Sequence, residues 1–144
     1  IEDAPETPLK LWEDFINSLI NAKVIKSVTS IMIKGFVTAI PKAIESRADV
    51  EIIVTNAVLE AISKWMDYIN KDLKKENFKL FVIDDDVKIS FTMTESFLKM
   101  GLANIDGSFD LGADVMYRGE KPVMWGTMLY DYYKRQSTRI FNLE

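Results

Sequence analysis

Val50-Glu51-Ile52-Ile53-Val54, followed by Thr55-Asn56, decides the fold. Val50, Ile52, Ile53 and Val54 are β-branched, and branched Cβ atoms suit a pleated, extended backbone. The run barely alternates between apolar and polar residues, as expected of a parallel strand buried on both faces. Thr55 or Asn56 can cap a helix directly after it. Val58, Ile62, Trp65, Met66, Ile69 and Leu73 then recur at helical spacing as an apolar face, and Lys64, Asp67, Lys71, Asp72 and Lys75 form a wet one. This spacing predicts one long helix.

Upstream, Phe36, Ile40 and Ile44 are spaced four apart and predict a short helix with Pro41 near its start. Before it, Lys26 to Lys34 is rich in Val, Ile and Ser and reads as a strand. Two strands separated by a helix favour a right-handed parallel crossover. Thr7-Pro8 reads as a cap and first helical residue, opening a helix through Leu9, Trp12, Phe15, Ile16 and Leu19. Downstream, Phe78 to Ile83 and Val87 to Met93 read as strands joined in a hairpin by Asp84-Asp85-Asp86. Phe97 to Ala103 reads as a further strand. A last helix starts near Glu120 or Pro122, and its spacing assigns Trp125, Met128, Leu129 and Tyr132 to one face. The order implies an α/β domain over 1–142, a mixed sheet of about five strands flanked by helices.

The chain has 144 residues, 48% of them hydrophobic, enough for one real core. It contains no Cys and no His. Disulfides, Ser-His-Asp and Cys-His catalysis, His-ligated zinc and two-histidine phosphodiesterase chemistry are thereby excluded. The net charge of −4 argues against a phosphate grip by this segment. The acidic start Ile1-Glu2-Asp3 is no signal peptide, and no apolar run reaches membrane-spanning length, so a cytoplasmic setting is expected. The absent initiator Met and the closing Leu143-Glu144 are expected to mark an excised segment, with residues 143–144 a cloning scar.

Several groups are candidates for chemistry. Asp84, Asp85 and Asp86 read as a hard-cation site or as a solvated turn, and the turn is favoured because adjacent side chains diverge. Asp106-Gly107-Ser108-Phe109-Asp110 reads as a reverse turn or as an ordered pocket loop. Trp125, Tyr130, Tyr132 and Tyr133 line a pocket or fill core, with Trp125 and Tyr132 the better core residues by spacing. Arg118, beside Tyr117 and Lys121, is an exposed cation or a clamp for a carboxylate. Trp12, Phe15 and Ile16 carry more apolar bulk than one short helix needs, which suggests a dimer seam.

These pieces resemble a known family. The residues that carry the likeness are Ala22 to Val28, Val50 to Thr55, Thr92-Met93-Thr94-Glu95-Ser96-Phe97-Leu98-Lys99-Met100-Gly101-Leu102, Asp106 to Leu111, Trp125-Gly126 and Leu129-Tyr130-Asp131-Tyr132-Tyr133 with Ser137. Together they resemble the middle domain of the archaeal methanogenesis regulatory protein family. Val115 to Pro122 departs from that family's pattern. The resemblance implies a non-catalytic sensor domain with a fold similar to phospholipase D-like regulator domains, in a protein whose ArsR-like winged helix lies upstream and makes the DNA contact.

A small-molecule effector is expected, a small organic anion held near Thr55, Tyr117, Arg118 and Trp125, with Tyr130 and Tyr133 beside it. A homodimer seamed by Trp12, Phe15 and Ile16 is expected as well. Neither cofactor nor metal is expected. The competing readings are an assembly module without ligand, dimerised through the aromatic helix, and a carboxylate- or metal-dependent enzyme.

Overall fold

A computed structural model describes residues 8–31, 34–102 and 115–144, with side chains throughout these ranges except at 8–12, 34 and 102. The parallel strand is β2, Asp49–Thr55. It pairs in parallel with β1, Val24–Thr29, and with β3, Phe78–Ile83. β4, Ile89–Thr94, runs antiparallel to β1; β5, Phe97–Leu102, pairs with β4; β6, Val115–Arg118, closes that edge. At the other edge β7, Thr138–Ile140, pairs antiparallel with β3. The described residues thus form a seven-stranded mixed sheet, β6-β5-β4-β1-β2-β3-β7.

Four readings of the sequence are corrected. β3 and β4 form no hairpin, because β2 and β1 lie between them; Asp84 to Asp86 turn a crossover instead. The sheet has seven strands where about five were expected, because β6 and β7 are too short to carry a periodic signal. The long helix is broken into α3, Asn56–Ile62, a 3₁₀ turn, Ser63–Trp65, and α4, Met66–Leu73. In α2, Lys34–Glu45, Pro41 is interior rather than near the start.

Helices cover both faces. Under α1, Pro8–Ile20, and α2, α3 and α4 lies one core with Phe15, Leu19, Ile25, Ile40, Ile44, Val50, Ile52 and Leu80 buried in it. Phe15 is 3% exposed and packs on Phe36 and Phe97 at ring distances of 6.3 and 6.1 Å. It therefore serves its own core and is no seam residue. Ile16 also packs into that core, against Gly35, where a Cβ would meet its Cδ1 at 2.5 Å. The side chain of Trp12 lies outside those described, as do the turn at Asp106 to Asp110 and the cap at Thr7. Under α5, Glu120–Lys134, lies the second core, of Val28, Ile53, Phe81, Phe91, Met93, Leu98 and Tyr130. Gly126 of α5 sits flush on the sheet, where a Cβ would meet Leu98 Cδ1 at 3.1 Å and Met93 Sδ at 3.3 Å.

Local chemistry fixes the joints. Glu95 accepts hydrogen bonds from the backbone N–H of Lys23 at 3.0 Å and of Val24 at 3.4 Å, tying the β4–β5 turn to the start of β1. α2 ends in a Schellman motif: Ala48 N–H donates to Ala43 O and Arg47 N–H to Ile44 O, both at 3.0 Å. Arg47 takes the left-handed position at φ 67°. Gly119, at φ 109°, turns β6 into α5. Leu143 is not a loose tail: it is buried, and its N–H and carbonyl bond the side chain of Asn70 at 2.6 and 2.8 Å.

Candidate ligand-binding cleft

The structure disperses the site expected from the sequence. Thr55 ends β2, while Tyr117 and Arg118 lie on β6, with β1, β4 and β5 between them. Four strand spacings separate them, about 19 Å. Thr55 is buried and its hydroxyl accepts from Val58 N–H at 3.4 Å. The carboxylate of Asp85 accepts from Ala57 N–H at 2.9 Å. The start of α3 is thus already supplied with two acceptors and a negative charge. That contact also gives the aspartate turn a structural role. Among the described residues no group of Asp and Glu side chains is arranged to hold a metal ion. Arg118 is exposed on the edge strand, with its guanidinium 5.9 Å from the centre of the Phe97 ring.

The aromatic residues of α5 divide opposite to the expected way. Trp125 and Tyr132 are 51% and 53% exposed, whereas Tyr130 is fully buried and Tyr133 half-buried against Phe91. Gly126 lies on the side of the helix that meets the sheet, and its lack of a side chain lets the backbone come close to Leu98 and Met93. Tyr130 on that side donates to Glu51 Oε1 at 3.0 Å, and Lys134 Nζ lies 2.9 Å from the same oxygen. Lys26 covers the Tyr130 ring at 5.5 Å. Burial pushes the Glu51 carboxyl up, but the bonds from Lys134 and Tyr130 and the nearby lysine charges outweigh it and hold the pKa below its ordinary value. Burial and the Glu51 charge push the Tyr130 phenol well above its ordinary range. This network joins α5 to the sheet.

A cleft instead opens on the opposite face, between α2 and α3–α4, over β1, β2 and β3. Its volume is about 410 Å³. Ile52, Val54 and Leu80 form its floor, Phe36, Val37, Ile40 and Ile44 one wall, and Val58, Ile62, Trp65 and Ile69 the other. Thr29 lies at the C-terminal end of β1; Glu45, Lys71, Asp72 and Lys75 line the cleft elsewhere, with Lys75 and Asp72 paired at 3.2 Å. Such apolar walls with few polar groups suit a small organic molecule. The sequence reading missed this site because its residues look like ordinary core. One signal was present: Tyr68 stands among the wet-face residues Lys64, Asp67 and Lys71, and in the fold it is 74% exposed at the cleft.

Residues 8–136 match a profile described as methanogenesis regulatory protein FilR1, middle domain. The chain belongs to the FilR1 middle-domain family. A methanogenesis regulatory protein FilR1 from Methanothrix harundinacea (strain 6Ac) is 32% identical over 143 residues, which cover 94% of this chain and 32% of the relative. The FilR1 middle domain here thus spans about a third of that relative's length. Three solved structures share the fold. TrmBL2, an archaeal chromatin protein, superposes with a TM-score of 0.70 at 15% identity, over 88% of this chain and 48% of that one. Phosphatidylserine synthase from Haemophilus influenzae Rd KW20 gives 0.66 at 10% identity, over 93% and 38%. The phospholipase D family member Nuc from Salmonella typhimurium gives 0.63 at 14% identity, over 89% and 90%. The phospholipase D-like fold expected for this domain is therefore shown. The family is one of regulators, and no described helix is long and apolar enough to cross a membrane.

Proposed function

We propose that this chain is the effector-sensing segment of a transcription regulator, and that the effector is a small, mainly apolar molecule bound between α2 and α3–α4. The observation that carries this reading is the cleft itself, whose volume of about 410 Å³ and apolar lining suit a small ligand. Two walls belong to separate helical segments over one rigid sheet, so a ligand bridging them favours one spacing of the walls over others. Operator binding is left to another part of the regulator, since this chain carries a net charge of −4. The apolar lining fits such a molecule better than the small anion first expected at Arg118.

The uncharged fluorophore N-phenylnaphthylamine tests the reading. Saturable one-site enhancement is expected, and Val37→Trp, at a position 37% exposed on the wall, should abolish it without unfolding the chain. Absence of saturation, or equal binding by Val37→Trp, overturns it.

The outer face of α5 supports dimerisation as a second element. Met124, Trp125, Met128 and Tyr132 are 51–66% exposed and form one stripe. Two copies of α5 packed antiparallel about a two-fold axis near Gly126 bring Met124 beside the partner copy's Met128. The same pairing brings the exposed Lys121 of one copy beside Asp131 of the other. Dimer mass by light scattering, lost in Met128→Glu with the circular dichroism unchanged, is the expected result. A monomer at all concentrations rejects it.

A further inference from the structure

The cleft is apolar except at its ends, and the hydroxyl network beneath the Thr29 end fixes what a ligand must present there. Ser27 Oγ, fully buried, donates to Phe91 O at 3.1 Å. It also lies 3.0 Å from Thr29 Oγ1 and 2.9 Å from Thr92 Oγ1. A serine hydroxyl has one proton and two lone pairs. A carbonyl can only accept, so the proton of Ser27 goes to Phe91. All three contacts are then satisfied only if Thr29 and Thr92 both donate to Ser27. Thr29, which lines the cleft, has therefore spent its proton and keeps acceptor capacity alone.

The α2 wall also carries a carbonyl without its usual helical partner. Val37 and Pro41 both line the cleft, near the start and in the middle of α2. Proline has no N–H, so the carbonyl of Val37 lacks the partner four residues on that a helix normally supplies. The cleft runs from the level of Phe78, beside Val50, to that of Thr29, beside Val54. The four residue steps from Val50 to Val54 of β2 span about 13 Å.

Resting on the proposed ligand site, we infer that the ligand is an elongated, uncharged molecule of mainly hydrocarbon character whose hydrogen-bond donor, a hydroxyl or amide N–H, meets Thr29. An ammonium is disfavoured there, because Thr29 is 3% exposed and a buried unpaired cation costs far more than one neutral bond returns. An ether or ester, which can only accept, meets lone pairs with lone pairs.

Displacement of bound N-phenylnaphthylamine by n-decanol and by decyl methyl ether separates these cases. The alcohol is expected to displace the probe about five-fold more tightly, the fold-change of one neutral hydrogen bond of roughly 1 kcal/mol. Thr29→Val should erase the preference while still binding the probe, since Ser27 keeps Phe91 and Thr92 as partners. Thr29→Ser, which restores a hydroxyl, should restore the preference. Equal displacement by alcohol and ether, or a preference that survives Thr29→Val, overturns the inference while the ligand site stands. If the fluorophore itself does not bind, the site and the inference fall together.

Discussion

The Tyr130 hydroxyl donates to Glu51 Oε1 at 3.0 Å, joining the middle of the last helix to the central parallel strand across 79 residues of sequence. Lys134 completes the arrangement from one turn further along α5. Tyr130→Phe keeps the ring and leaves Glu51 paired with Lys134, so a loss of about 1–2 kcal/mol is expected in urea unfolding.

The same pair sets the pH dependence. The Glu51 carboxyl is held below its ordinary value of 4.5 in the fold, so its contribution is present above that value. It is lost as pH falls through the lower folded value. Glu51→Gln should flatten part of the acid limb of the stability profile. Tyr130 is raised above its ordinary value of 10.0, so the unfolded chain ionises first and stability falls as pH climbs beyond it. Tyr133 is raised as well, by burial, so Tyr130→Phe should reduce that alkaline slope rather than abolish it, and an unchanged slope would assign it to other groups.

Arg47 occupies the left-handed position of the Schellman motif at φ 67°. A side chain is strained there and glycine is not. Arg47→Gly is expected to raise stability by about 0.5–1 kcal/mol, measured as an upward shift in Tm.

Gly126 permits α5 to lie flush on Leu98 and Met93. Gly126→Val drives two extra methyl groups beyond a Cβ that is already tight. A loss of about 1–3 kcal/mol is expected. Since the helix must lift to accommodate them, the Tyr130–Glu51 bond should weaken in the same variant, and its acid limb should flatten as in Glu51→Gln.

Glu95 receives the backbone N–H groups of Lys23 and Val24. Glu95→Ala removes a charged acceptor from two donors at the head of β1. Amide exchange at Lys23 and Val24 should accelerate, with a global cost of about 1–2 kcal/mol. Protection unchanged at both amides would show that solvent serves them equally well.

The sequence alone determined the α/β class. Val50 to Val54 can be buried only within a covered sheet, and the spacing after Thr55 is helical. It also determined what chemistry is absent, because a chain without His or Cys cannot supply those groups however it folds. The run Thr92 to Leu102 pointed to the family from sequence alone. Tertiary structure decided the rest. Strand order parted Thr55 from Arg118, since neighbours in a sheet are chosen by pairing over long sequence distances. Helix rotation buried Tyr130 and left Trp125 outside; both faces of α5 carry large aromatic residues, and the close seat of Gly126 is what tells them apart. The cleft is equally invisible in the sequence, because Ile52, Ile40 and Ile62 have the composition of core. Only the separation of the helices above β2 leaves space between them.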